Sequence, residues 1–397
     1  MTKQTSNGVN RMKKTIQDIF ILADVQINGN RPWDIQVHNQ KLYARVLAGG
    51  ILAFGESYMD GWWDCQAIDQ LVDKILVAKL DENENTKHLL WKHLIWDTFK
   101  AKIINLQSGS RAYKVGKKHY DIGNDLYKNM LDKRIIYSCG YWDPSTGSPR
   151  LRSGQAGQEM TLDQAQEAKL DLICKKIGLK PGMRVLDIGC GWGGLAKYAA
   201  ENYKVEVVGI TISKEQVKLA KQLCKGLAIE IRLQDYRELK EKFDCIISVG
   251  MIEHVGYKNY RTYMEVVHRC LKPNGLFLLH TIGSNTSVIS QNPWGNKYIF
   301  ANSMLPSARQ ITQAAEGLFV MEDWHNFSAD YDQTLMAWYN NFTKNWDKIK
   351  KNYDERFYRM WTLYLLACAG SFRARKNQLW QIVFSKNGVL GGYQSIR

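Results

Sequence analysis

The sequence predicts an α/β protein: a doubly wound, Rossmann-like sheet with a smaller, mainly helical domain before it. Three observations lead there. Met183 to Gly194 reads M-R-V-L-D-I-G-C-G-W-G-G, a short apolar run closed by clustered glycines, as a buried parallel strand followed by a tight loop would. From that point strand-like and helix-like stretches alternate. The residues before about 105 show no such alternation and read instead as amphipathic helices.

Taken in order, Arg11–Ala23 places Met12, Ile16, Ile19, Phe20 and Ala23 at helical spacing, opposite Arg11, Lys14 and Asp18. Val25–Val37 alternates about Asn28-Gly29, which predicts a hairpin. Helices are expected near Asn39–Ala48, Ala67–Leu80 and Leu89–Ile104, with the aromatic stretch Phe54–Cys65 between the first two. Trp62 and Trp63 are expected to pack inside this small domain. Its boundary falls near Asn105, where Gln107-Ser-Gly-Ser110 opens a linker. Residues 106–160 read as linker and lid, including the exposed, Ser/Gly/Pro/Arg-rich loop Pro144–Gly157. A helix opens at Thr161 and runs to about Gly178. The remaining strands of the sheet are Val205–Ile210, Ile229–Leu233, Cys245–Val249 and Leu276–Thr281, the last preceded by a turn at Lys272-Pro-Asn-Gly275. Phe319–Trp324 and Leu379–Ser385 complete it. Helices are expected at Lys214–Cys224, Tyr257–Leu271, Tyr331–Lys344 and Tyr353–Arg375.

Strand, glycine loop and helix together make a nucleotide-type site. Gly189-x-Gly191-x-x-Gly194 satisfies the dinucleotide fingerprint, but that reading wants an acidic residue at the tip of the next strand for the ribose hydroxyls. Here Val205–Ile210 runs into Thr211-Ile212-Ser213 instead. Asp187, two residues before the first glycine, makes the loop resemble the V-L-D-x-G-x-G loop of S-adenosylmethionine (SAM) methyltransferases. SAM is therefore the expected cofactor.

The net charge of +15 is unevenly placed: residues 1–105 carry 13 Lys/Arg against 12 Asp/Glu, and the rest 41 against 27. Such a basic surface suits nucleic acid or anionic lipid alike. Met1–Asn10 is polar, with no apolar signal core, and no apolar run is long enough to span a bilayer. The eight cysteines show no metal-ligand spacing, so no metal is expected; they read as small core residues of a reduced, cytoplasmic protein.

Seven motifs then occur in one order: Gly55-Glu-Ser-Tyr-Met-Asp-Gly-Trp-Trp63, Gly116-Lys-Lys-His-Tyr-Asp-Ile-Gly-Asn124, Tyr137-Ser-Cys139, the glycine loop, Gly250-Met-Ile-Glu-His-Val-Gly256, His280-Thr-Ile-Gly283 and Asp330-Tyr331-Asp332. Together they resemble the bacterial cyclopropane-fatty-acyl-phospholipid synthases along nearly the whole chain. Pro144–Gly157 is longer than that family's pattern. The resemblance implies methylene transfer from SAM onto a cis double bond of an unsaturated phospholipid acyl chain, with a bound bicarbonate as base. It places the anion at Cys139, Glu253, His280, Tyr331 and the backbone N–H of Ile282. It places SAM at Tyr137, Ser138, Asp187, Gly189, Gly191, Thr211, Ser213, Gln216 and Asp235, and leaves His254 structural. It also implies a homodimer docked reversibly on the inner face of the membrane, with residues 1–105 as the lipid-docking and dimerisation domain.

Alkene chemistry makes the same demands independently. An alkene is a weak nucleophile, so the sulfonium carbon must be held in line with it in a dry pocket. Methylation leaves a carbocation, and ring closure needs a base beside the new methyl group. The alternative is a SAM-dependent lipid or small-molecule methyltransferase that does not close the ring. A lipid-binding scaffold and an RNA methyltransferase are weaker alternatives, the latter because the chain carries no recognised RNA-binding module.

Overall fold

The computed structural model describes residues 2–80, 123–142, 160–289 and 292–397. The expected helix Leu89–Ile104, the boundary near Asn105, the linker at 107–110, most of the lid and the loop Pro144–Gly157 lie outside the described residues.

The chain opens with helix α1 (Thr2–Ile21), strand β1 (Gln36–Val37), helix α2 (Lys41–Met59), strand β2 (Trp63–Asp64) and helix α3 (Ile68–Val77). The hairpin expected about Asn28-Gly29 does not form; β1 pairs with β2 instead, Gln36 opposite Asp64. Asp34 redirects the chain. Its buried carboxylate accepts from the Gln26 and Arg31 backbone N–H groups and from the Arg31 guanidinium, which closes 25–37 as a compact loop. Trp63 is fully buried and stacks on Phe54 at 4.3 Å, while Trp62 lies under the Arg45 guanidinium.

Next come α4 (Asn124–Met130) and α5 (Leu162–Lys176), whose first turn is closed by a reciprocal Thr161–Gln164 cap. Then the units of the sheet follow: β3 (Arg184–Ile188), α6 (Gly194–Tyr203), β4 (Glu206–Thr211), α7 (Lys214–Leu223), β5 (Ile229–Leu233), β6 (Phe243–Val249), α8 (Tyr260–Cys270) and β7 (Leu271–Ser284). After short α9 (Pro293–Tyr298) and α10 (Ala308–Ala315) come β8 (Val320–Asn326), α11 (Ala329–Ile349), α12 (Glu355–Arg373) and β9 (Asn377–Ser385). Lys272–Gly275 is a bulge within β7 rather than a turn before it, since the register steps from Phe243 opposite Leu271 to Cys245 opposite Leu276.

The seven strands take the order β5-β4-β3-β6-β7-β9-β8. Alternate residues feed two cores: Val185, Val207, Cys245 and Leu278 face α5 and α6, whereas Leu186, Val208, Ile246 and Phe277 face α8 and α10. The sheet is not wholly parallel, because β9 runs against both β7 and β8. The reason is in the connection. The helical pair α11–α12 brings the chain back to the end where β8 stops, so β9 runs the opposite way.

The N-terminal residues do not pack alone. Val25, Tyr58, Trp63 and Leu71 share one core with Trp338, Trp361, Leu365 and Phe372 of α11 and α12. Ion pairs Arg373–Asp69, Arg359–Asp64 and Arg356–Asp60 edge this contact. Gly55 sits where a Cβ would lie 2.5 Å from the Trp294 ring, so α2 can approach α9 only with glycine there. Beside it, Glu56 accepts from Lys297 Nζ at 2.6 Å and from the Tyr298 hydroxyl at 2.9 Å.

Candidate active site

A cavity opens at the C-terminal ends of the parallel strands, where the chain passes from β3, β4 and β6 into their loops. Asp187 ends β3 and is almost fully buried, and its Oδ2 has no hydrogen-bond partner. Burial pushes its carboxyl up to about 7. The glycine loop is tied down where the Gly189 and Cys190 N–H groups both donate to Ile210 O. Gly191 has φ +54° and lines the cavity, with open space where its Cβ would be, which leaves backbone free to lie against a ligand. On the far wall Thr211 Oγ1 donates to Gln216 Oε1 at 2.7 Å, and Asp235 follows β5 with one oxygen accepting the Arg237 N–H. Tyr137 and Ser138 close the near end; the Tyr137 hydroxyl meets that of Tyr364 at 2.8 Å.

Eight of the nine residues expected around SAM thus line one cavity. Ser213 does not: its hydroxyl caps α7 by accepting the Gln216 N–H. The partnerless Asp187 oxygen and the open Gly191 fit a ligand that brings an ammonium group and a chain to lie on the loop, as SAM does. Several lining residues escaped sequence analysis, among them Lys169, Trp192, Arg237 and Asn302. His254, expected to be structural, also lines the cavity; its half-buried ring packs edge-on to Phe300, and desolvation holds its pKa down to about 4.

None of the residues expected around the anion lines this cavity, so they form a second group apart from its lining. Glu253 sits in a 3₁₀ turn (Ile252–His254) after β6. Its Oε1 accepts the Ile282 N–H at 2.8 Å, and its Oε2 has no partner. Burial raises this carboxyl to about 7. His280 and Ile282 stand two apart on β7, hence on one face. Gln381, opposite His280 on β9, places its amide nitrogen 3.3 Å from His280 Nδ1. With that nitrogen donating, the ring proton sits on Nε2, which has no partner. Burial keeps the imidazole neutral, and the charges of Lys169 and Lys176 add to the effect. Tyr331, on α11, packs on Phe372 at 4.6 Å; burial pushes its phenol up, with Cys139 and Glu253 near enough to contribute. The Cys139 thiol is fully buried, donates to Gly140 O at 3.0 Å, and is likewise held protonated by burial. A buried carboxylate oxygen and a buried imidazole N–H, each without a partner, would suit a small anion that both donates and accepts, as bicarbonate does.

One segment touches both compartments. Between α9 and α10, Phe300 packs against Tyr137 and His254, Asn302 lines the cofactor cavity, and Met304 N–H donates to Glu253 O.

The sequence profile of mycolic acid cyclopropane synthetase matches residues 107–382. The chain belongs to that family. It is 55% identical over 383 residues to the cyclopropane-fatty-acyl-phospholipid synthase of Escherichia coli strain K12, a match spanning 96% of this chain and 94% of that protein. It is 36% identical over 283 residues to a probable fatty acid methyltransferase of Pseudomonas putida, 68% of each chain. Among solved structures, the cyclopropane synthase MmaA2 from Mycobacterium tuberculosis matches with a TM-score of 0.62 at 28% identity, covering 69% of this chain and 98% of that one. Mycolic acid cyclopropane synthase CmaA1, solved with SAH and CTAB, matches with the same score at 30% identity and the same coverage. The protein is an enzyme of the SAM-dependent methyltransferase class, with the α/β fold of these structures.

Proposed function

We propose that the protein transfers a methylene from SAM to the cis double bond of an unsaturated phospholipid acyl chain, closing a cyclopropane ring, with bicarbonate as the base. The transfer reaction rests on family membership and near full-length identity to the Escherichia coli enzyme. The base rests on the pairing of Glu253 Oε1 with the Ile282 N–H, beside a partnerless Glu253 Oε2 and a partnerless His280 Nε2.

SAM supplies an electrophilic methyl group. The chain holds the donor along the Gly189–Gly194 loop, with Asp187, Thr211, Gln216 and Asp235 fixing its polar ends. Tyr137, Phe300, Trp338 and Tyr364 form an aromatic, water-excluding wall in which a developing carbocation gains from the ring faces. Bicarbonate would be held by Glu253, His280, Tyr331, Cys139 and the Ile282 N–H, and would supply a base too weakly nucleophilic to trap the cation. Glu253 orients that group and adds negative charge near the cation, while His280 and Tyr331 donate to it. One C–C bond forms as the methyl leaves sulfur; the second forms as a proton leaves the new methyl group and the ring closes.

The enzyme works as a homodimer, docked reversibly on the inner face of the membrane. Among the described residues no helix is long and apolar enough to cross a membrane. The excess of Lys/Arg beyond residue 105 draws it to anionic lipid, at about 1 kcal/mol per basic side chain near the surface. Residues 1–105 supply the docking and dimerisation surfaces.

The test is incubation with SAM and monounsaturated phospholipid vesicles, followed by proton NMR of the recovered acyl chains. Cyclopropane protons at high field are expected. A branched or methylene-bearing chain of the same added mass, without those protons, would instead establish a methyltransferase that does not close the ring.

A further inference from the structure

Helix α5 hides an oddity on its buried face. Leu162, Ala165, Gln166, Lys169, Leu170 and Ile173 follow helical spacing, so a lysine occupies a place in an apolar stripe. Lys169 is 1% exposed, yet its ammonium makes one hydrogen bond, to Ser138 Oγ at 2.9 Å. One turn earlier Gln166 donates to Ser138 O at 2.7 Å, so consecutive turns of α5 grip both polar atoms of a single serine. An ammonium has three donors, and burying a cation with one neutral partner is costly. Lys169 and Ser138 both line the cofactor cavity, and Asp187, with its partnerless oxygen, lines it too.

We infer that Lys169 completes the subsite for the amino-acid end of SAM, receiving the α-carboxylate together with Ser138, opposite the Asp187 carboxyl that already fits the α-ammonium. The inference rests on the SAM reading of the cavity and adds the cation that the carboxylate needs. SAM carries its two amino-acid charges on one carbon, and a buried pair of opposite sign matches that dipole. Burial lowers the Lys169 pKa to about 8, while the nearby Asp132, Cys139 and Asp187 act to raise it. The bound zwitterion thereby relieves two buried groups at once.

Calorimetric binding of three ligands to the full-length chain tests this without turnover: S-adenosylhomocysteine, its decarboxylated analogue, and 5′-methylthioadenosine, which lacks both charged groups. Wild type should prefer S-adenosylhomocysteine to the decarboxylated analogue by tenfold or more. Lys169→Gln should erase that preference while binding the decarboxylated analogue and methylthioadenosine as wild type does, and Lys169→Arg should keep part of it. Asp187→Asn should weaken the two amine-bearing ligands and spare methylthioadenosine. If Lys169→Gln weakens all three ligands alike, or leaves the preference intact, the subsite assignment falls. Should the variant fail to fold, the wild-type preference decides, because its absence alone overturns the proposal. Failure of methylthioadenosine to bind wild type would instead overturn the SAM reading of the cavity.

Discussion

The two compartments of the site are built in opposite ways. The cofactor cavity is open, floored by a contiguous loop, and placed by the ends of parallel strands, so most of its residues follow from one stretch of sequence. The groups proposed to hold the anion come from positions 139, 253, 280, 282 and 331, spread along the chain, and the side chains of Cys139, Glu253, His280 and Tyr331 are buried. The difference teaches a division of labour. On the proposed function, a ligand that is exchanged in every cycle would sit where the loops can admit it, whereas a base that must stay dry beside a cation would sit in the packed interior.

This division predicts that the compartments fail separately. Glu253→Gln keeps the shape of the pocket and removes its carboxylate, so turnover should fall by about 10²–10³. The affinity for S-adenosylhomocysteine should stay within a factor of two of wild type, read by calorimetry on the same preparation. A variant that loses binding and turnover together would break the comparison.

Asp187→Asn probes the other compartment. Burial raises the folded-state pKa of Asp187 to about 7, above the ordinary value of about 4. A raised carboxyl favours the folded state at low pH; that stability falls as pH rises from about 4, where the unfolded chain ionises, and is lost by about 7, where the folded carboxyl ionises too. The apo variant should therefore melt several degrees above apo wild type at pH 8, and the gap should vanish near pH 4. Cofactor affinity should drop at the same time. A variant less stable than wild type at pH 8 would show that the carboxylate serves the fold rather than the ligand.

A smaller, shared effect is expected at the contact that supports both compartments. Gly55→Ala pushes a methyl into the Trp294 ring, and the chain that follows α9 reaches Asn302 in one compartment and the Glu253 backbone in the other. Cofactor affinity and turnover should both fall several-fold. Loss of one alone would mean that the segment serves only that compartment. A point change is the right probe here, because deleting residues 1–105 would strip Val25, Tyr58, Trp63 and Leu71 from the core they share with α12.

What could be read in advance follows the same line. Asp187, Gly189 and Gly191 announce themselves through spacing alone, as does each strand of the sheet. The direction of β9 does not, because it depends on the path of the α11–α12 connection rather than on the strand's own residues. In place of the hairpin at Asn28-Gly29 the chain forms a loop in which the Asp34 carboxylate accepts the Gln26 and Arg31 N–H groups. Glu253, His280 and Tyr331 were legible only through family resemblance, since each alone reads as an ordinary buried polar residue. Lys169 had a signal, its place in the apolar stripe of α5, but a helical lysine is ordinarily taken for solvated.

The central claim is that a small anion, held apart from SAM, serves as base. Turnover on monounsaturated vesicles and S-adenosylhomocysteine affinity, measured together in rigorously degassed buffer and again as bicarbonate is restored, test it most directly. Turnover should collapse without bicarbonate and recover with its addition, while the affinity stays constant throughout. Turnover indifferent to bicarbonate would contradict the account and make Glu253 or His280 the direct base.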